Sequence, residues 1–129
     1  MKLRIRGNSI RLRLTQSEIA QFGETGKVAE MVGFGVAKPG LGYQLHASAD
    51  DETIRAEFEN NCLSISVPAS VAQGWINSAQ VGIEDMQPLV EDRFLRILIE
   101  KDFACVSDRA GEDETDAFPN PTIARSILT

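Results

Sequence analysis

The N-terminal residues alternate basic and apolar side chains in a way that could bind an anion. The basic members are Lys2, Arg4, Arg6, Arg11 and Arg13, with a turn signal at residues 7–9. Because successive side chains of a β-strand point to opposite faces, two strands joined there would carry all these charges on one face. Guanidinium groups pair with the oxygens of phosphates and carboxylates, and a cluster of them favours a multiply charged anion. The sequence therefore predicts an anion-binding face at Arg4, Arg6, Arg11 and Arg13.

A second interpretation assigns these arginines acidic partners within the chain. Glu57, Glu59 and Glu100 alternate outward on later strands in the same way, and residues 108–116 form an acidic segment that could fold back. Cross-strand ion pairs of this kind contribute roughly 0.2–1 kcal/mol each and help to set strand register. The available acids are sufficient to neutralise the arginines, so we favour this interpretation. It predicts a non-enzymatic interaction or oligomerisation module, with an anion-binding or phosphoryl-handling protein as the alternative.

A closed sheet would offer a third arrangement, in which inward arginines hold a polyphosphate and inward glutamates hold a divalent metal. That arrangement resembles the triphosphate tunnel enzymes, whose first strand carries Glu-x-Glu-x-Lys. Here the first strand carries Lys-x-Arg-x-Arg, so the metal-binding acids are missing from that position. The sequence gives this arrangement little support.

Other side chains with reactive chemistry lack the spacing that a known site requires. Cys62, Cys105 and His46 form no C-x-x-C or H-x-x-x-H motif, and a structural zinc needs four ligands. The acids of residues 100–116 lack the glycine of an EF-hand loop. We therefore predict no catalytic residue, no metal site and no cofactor, with both cysteines reduced.

Composition narrows the classes of partner and the compartment. The chain of 129 residues has a formal net charge of -6, which disfavours nucleic acid and anionic membranes. It has no apolar stretch of membrane-spanning length, and its alternating N-terminus differs from a signal peptide. We expect one cytoplasmic domain over residues 1–129. Its expected partner is a second copy or another protein, and a small anion is the alternative ligand.

Hydrophobic periodicity predicts an α+β fold. A capping box at Thr15 and Glu18 begins one helix, which we expect to stop at Gly23, and a second helix covers residues 69–77. Period-two segments between turn signals predict about six strands in a single antiparallel sheet, which could be strongly curved or barrel-like. No internal repeat is convincing. Residues 103–129 read as an irregular acidic segment, in which Phe118 would anchor the tail over the core.

Three motifs resemble those of a family of small uncharacterised bacterial proteins. They are Lys-x-Arg-Ile-Arg-x-Asn-Ser-Ile-Arg-x-Arg-Leu-Thr at the start, Glu-Lys-Asp-Phe-x-Cys from residue 100, and Phe-Pro-Asn-Pro ending at residue 121. The motifs lie at both ends of the chain. The resemblance implies a class of protein but no activity, substrate or site residue, because that family has no assigned function.

Overall fold

The computed structural model describes residues 1–103 and Phe118. In chain order the elements are β1 (Lys2–Arg6), β2 (Ser9–Leu14), α1 (Gln16–Thr25), β3 (Lys27–Val32), β4 (Leu41–Ser48), β5 (Arg55–Glu59), β6 (Cys62–Pro68), α2 (Ala69–Ile76), β7 (Gly82–Pro88) and β8 (Phe94–Lys101). The predicted α+β class with two helices is confirmed over these residues.

The strands form two mixed sheets of four. Sheet 1 has the order β1-β2-β8-β7 and sheet 2 the order β3-β4-β6-β5. In each sheet the central pair is parallel and the outer pairs are antiparallel. The prediction of a single antiparallel sheet of about six strands is therefore wrong, and neither sheet closes into a barrel. Alternation identifies the buried face of each strand, but it carries no signal for the long-range parallel pairings of β2 with β8 and β4 with β6.

The core lies between the apolar faces of the two sheets. Its most deeply buried strand residues are Leu12, Leu14, Leu45, Ile65, Val67, Ile97 and Ile99. The helices contribute Phe22 and Trp75, whose rings meet edge to face with centroids 6.4 Å apart. Both helices follow the ends of β2 and β6, so they lie at one end of the sheets, which we call the helix end. The turns at residues 7–8 and 60–61 lie at the opposite end, the hairpin end.

Helix α1 begins as predicted and ends later. The Glu18 amide donates to Thr15 Oγ1 at 3.4 Å, and the Thr15 amide donates to Glu18 Oε1 at 2.9 Å, which confirms the capping box. The helix continues through Gly23, which lies beside Ile76 of α2. Gly26 follows its last residue and has φ +78°, the left-handed conformation that favours glycine at a helix terminus.

The two halves of the chain repeat one arrangement. Strands β1–β4 with α1, and β5–β8 with α2, both have the order ββαββ, and each sheet takes one hairpin from each half. The Ala47 amide donates to Gly26 O at 2.9 Å, and in the other half the Lys101 amide donates to Val81 O at 2.9 Å. The expectation of no internal repeat is therefore wrong for the fold. The repeat escapes notice in the sequence because equivalent core positions hold different apolar residues, such as Phe22 and Trp75.

Candidate functional site

The outer face of sheet 1 gathers the N-terminal basic residues into rows. Arg4 lies opposite Arg11, Lys2 opposite Arg13, and Arg6 opposite Ser9. The parallel strand β8 extends these rows with Leu98, Glu100 and Arg96. The rows leave the apolar residues of β2 on the inner face, as the alternation predicts. The sequence therefore predicted the basic face on β1 and β2, but not the arginine that β8 adds to it.

That residue is Arg96, which joins three of the four predicted arginines around one cleft. The cleft has a volume of about 190 Å³ and is lined by Arg4, Arg6, Ser9, Ile10, Arg11, Arg96 and Leu98. Arg13 does not line it. Arg96 points outward from an alternating strand, which was visible in the sequence. Only the pairing of β8 with β2 brings it beside Ser9.

Ion pairs hold part of this face in place. Arg11 Nε lies 3.2 Å and Arg13 Nε 3.7 Å from the same Glu100 oxygen, with all three side chains largely buried. Arg96 Nη2 lies 3.0 Å from Glu84 Oε2 in a pair that is about half exposed. Exposed pairs of this kind contribute little to stability. Glu100 thus holds two arginines on the same face of the sheet, whereas Arg96 stays accessible to solvent.

The predicted partners of the arginines are confirmed in one case and wrong in two. Glu100 pairs with Arg11 and Arg13, as expected. Glu57 and Glu59 belong to β5 of sheet 2, so they are not neighbours of the basic strands. The acidic segment 108–116 lies outside the described residues. Lys2 instead pairs with Asp102, with Nζ 3.0 Å from Oδ2.

The arrangement resembling the triphosphate tunnel enzymes does not fit this geometry. The face of sheet 1 that points between the sheets carries the buried residues Ile10, Leu12 and Ile97, and the arginines lie on the other face. A polyphosphate inside the fold would have to displace an apolar core. The structure thus gives no support to this third arrangement, which the sequence already disfavoured.

A second polar cluster joins β1 to sheet 2. The Met1 amino group contacts Glu18 and lies 2.9 Å from Glu30 Oε1. The Tyr43 hydroxyl shares its proton between a Glu30 carboxylate oxygen and Met1 O, which lies 2.9 Å away. Burial alone would lower the pKa of the amino group, but the two carboxylates outweigh it and raise the pKa. The hydrogen bond to Glu30 raises the pKa of Tyr43 to about 12. The cluster acts as a structural clasp that sequence analysis did not identify.

The thiol and imidazole groups do not form a site in the described chain. In the register of β4 and β6, Cys62 lies opposite Gly42, whereas His46 lies opposite Ser66 at the other end of the same strands. Four residues of strand separate them by about 13 Å, too far for a shared metal or a nucleophile–base pair. Cys105 lies outside the described residues. Within residues 1–103, no group of three metal-ligating side chains comes together.

An apolar groove crosses the hairpin end. It has a volume of about 260 Å³, and its walls are mainly Leu3, Ile5, Ile10, Leu41, Phe58, Leu63 and Leu95. Ile5 and Phe58 are 63% and 65% exposed. Phe118 is also exposed, at 96%, so the predicted anchoring of the tail by this ring is wrong. The groove is therefore a second candidate site, of apolar character.

Comparison with known proteins identifies the family but supplies no activity. Neither helix of the described chain has the length and apolar character needed to span a membrane. No curated protein and no solved structure matches the chain significantly. One family model does match, over residues 1–122. The chain therefore belongs to the Family of unknown function (DUF7009).

Proposed function

We propose that the outer face of sheet 1 binds a small, multiply charged anion, with a phosphate ester as the model ligand. The observation that carries the proposal is the convergence of Arg4, Arg6, Arg11 and Arg96 around one cleft. Guanidinium forks pair with phosphate oxygens in a bidentate geometry, and several of them can share one phosphate group. The four residues come from three neighbouring strands, which is a rigid support for such a site.

The size and surroundings of the cleft favour a small ligand over a nucleic acid. A volume of about 190 Å³ is below the usual range for drug-sized ligands and matches a phosphate with a short substituent. The whole chain has a formal net charge of -6, which repels an extended polyanion. The local basic cleft can still attract a compact anion, because Coulomb interactions at contact distance exceed those with distant acids.

The residues around the cleft support binding rather than acid–base catalysis. The described lining offers guanidinium groups, one hydroxyl and two aliphatic side chains. The Ser9 hydroxyl already donates to Arg6 O at 2.7 Å, which fixes its orientation. Glu100 does not line the cleft and pairs with Arg11 and Arg13. We therefore assign Glu100 a positioning role and the four arginines the ligand contacts.

A thermal-shift screen tests this proposal. The ligands are inorganic phosphate, pyrophosphate and a phosphate monoester, each compared with NaCl of equal ionic strength. A ligand at a hundred times its dissociation constant adds about 2.7 kcal/mol, which raises the midpoint by several degrees in a domain of this size. We expect Arg6→Gln/Arg96→Gln to lose the shift and Arg55→Gln, on sheet 2, to retain it. A shift equal to that of NaCl, or equal in both variants, would overturn the proposal.

A second function, association with a protein chain, has separate support. The groove at the hairpin end exposes large apolar side chains, and such patches on a protein surface commonly mark an interface. The groove and the arginine cleft meet at the start of β2, where Ser9 and Ile10 line both of them. The two functions are therefore separated by variants at residues that line only one of the two, such as Arg96 for the cleft and Phe58 for the groove.

A further inference from the structure

We propose that a second copy of this chain docks end to end on the hairpin end, which makes the protein a two-fold dimer. The inference rests on the second function proposed above, association at this groove. It commits to a second copy because the rim of this surface has a basic half and an acidic half, which two copies turned end on can match.

The two ends of the molecule are covered differently. At the helix end, α1 and α2 close the space between the sheets, and Phe22 and Trp75 are buried beneath them. At the hairpin end, the described chain supplies only turns and loops. Most of the large apolar side chains that are exposed lie there, including Ile5, Phe34, Val36, Phe58, Val90 and Phe94. Exposed apolar surface concentrated at one end is typical of an interface.

The groove at this end has nearly two-fold symmetry. Ile5 and Phe58 precede the β1–β2 and β5–β6 turns, and Ile10 and Leu63 follow those turns at equivalent places. Leu41 and Leu95 lie at the starts of β4 and β8, the other pair of equivalent strands. The groove thus consists of residue pairs related by the repeat of the fold. In a two-fold dimer these residues would make every contact twice, because the interface is isologous.

Charge at the rim divides the hairpin end into a basic and an acidic half. The Met1 amino group, just before β1, bonds to Glu30 of β3. At the hairpin end, β1 ends in Arg6 and the loop after β3 carries Lys38. Strand β5 lies beside β7, where the Ile54 amide donates to Asp85 Oδ2 at 3.1 Å.

The β5–β7 seam ends in Glu59, Glu91 and Asp92, with Arg93 as its one base at the tip. Two copies turned end on can therefore place each basic half against an acidic half. Such complementarity favours one orientation of the partner and raises the association rate.

Sedimentation of the full chain over a range of concentrations tests the inference. We expect a reversible dimer, and we expect Phe34→Asp/Phe58→Asp to raise the dimer dissociation constant at least tenfold. Both rings are more than 60% exposed, so the substitutions leave the core intact. The matched control is Phe103→Asp, an exposed phenylalanine beyond β8 at the helix end, which should dimerise like the unmodified chain.

A charge exchange tests the predicted orientation. Lys38→Glu should weaken the dimer, because it places a negative charge against the acidic half of the other copy. Adding Glu59→Lys in the same chain should restore the dimer, because opposite charges then face each other again. Arg6 is left unchanged, so the anion cleft stays intact in every variant. A dimer that survives Phe34→Asp/Phe58→Asp, or a double charge variant as weak as the single one, would overturn the inference.

An apolar dye separates failure of this inference from failure of the function on which it rests. A chain that is monomeric at every concentration, but binds anilinonaphthalene sulfonate in a way that Phe58→Asp abolishes, overturns self-association and keeps an accessible binding groove. A monomer that binds no dye overturns both. A dimer with the expected variant behaviour supports both.

Discussion

Phe22 and Trp75 occupy equivalent positions in the two halves of the fold and contact each other edge to face, with an interplanar angle of 63°. Both rings are buried, and each belongs to the helix that joins the two hairpins of its half. The Trp75 indole N–H donates to Val81 O at 3.1 Å, which satisfies its polar atom inside the core. The contact therefore connects the halves where both helices cover the sheets.

Removing the Trp75 ring should destabilise the whole fold. We expect Trp75→Ala to lower the free energy of unfolding by about 3–5 kcal/mol, the usual cost of truncating a large buried aromatic side chain. Trp75→Phe should cost less, because it keeps the ring contact and loses the hydrogen bond to Val81. Urea denaturation followed by circular dichroism measures both. Phe103→Ala, at an exposed ring, serves as the control, and a Trp75→Ala cost no larger than the control's would refute the role of the contact.

The Gln87 side chain makes two hydrogen bonds across the seam between β5 and β7. Gln87 Oε1 accepts from the Ala56 amide at 2.7 Å, and its Nε2 donates to Ala56 O at 3.1 Å. We expect Gln87→Ala to cost about 1–3 kcal/mol, because both backbone groups lose their partner. Hydrogen exchange of the Ala56 amide should accelerate, while the Leu45 amide in the centre of sheet 2 should be less affected. Equal acceleration at both amides would show global destabilisation instead of a local seam.

Acid should weaken the polar cluster of Met1, Glu18, Glu30 and Tyr43. Glu18 is partly buried, which opposes ionisation, but its bonds to the Met1 amino group and Thr15 outweigh that effect and lower its pKa below 4.5. Hydrogen bonds from Tyr43 and the amino group lower the pKa of Glu30 below the same value. Because folded-state values lie below the unfolded ones, the stabilisation is present above pH 4.5 and is lost as pH falls through the folded values.

The variant Glu30→Gln isolates this effect. We expect it to lower the free energy of unfolding at neutral pH and to approach the unmodified chain in acid, below the folded-state pKa of Glu30. Glu24→Gln, on the exposed side of α1, controls for the change in net charge. Urea midpoints across the acid range measure the difference. A gap between Glu30→Gln and the unmodified chain that stays constant with pH would contradict the ion-pair account.

The same cluster should lose stability in alkali. The pKa of the Met1 amino group is raised above 8.0, so its contribution is complete below that pH and is lost as pH rises through the folded value. The pKa of Tyr43 is raised from 10.0 to about 12, mainly by its hydrogen bond to Glu30. This hydrogen bond therefore stabilises the fold fully below pH 10, and the stabilisation is lost as the hydroxyl loses its proton toward pH 12. Tyr43→Phe should therefore differ most from the unmodified chain below pH 10, as measured by urea midpoints. A difference that grows above that pH would contradict the assignment.

Much of the local structure could be predicted from the sequence, but the pairing of distant segments could not. The capping box of Thr15 and Glu18, the β1–β2 hairpin and the outward arginines follow from interactions between near neighbours in the chain. The place of Arg96 beside Ser9 depends on a parallel pairing of strands that are far apart in sequence. Glu57 and Glu59 show the same limit, because their outward alternation is correct and only their sheet differs.

We propose above that the arginine cleft binds a compact anion through Arg6 and Arg96. Isothermal titration of the full chain with pyrophosphate, at fixed ionic strength, tests it most directly. We predict saturable binding at one site per chain, at least tenfold weaker in Arg6→Gln/Arg96→Gln, intermediate in Arg96→Lys and unchanged in Arg55→Gln. Arg96→Lys is intermediate because lysine keeps the charge and loses the guanidinium fork. Absence of saturable heat, or equal affinity in all four proteins, would contradict the account.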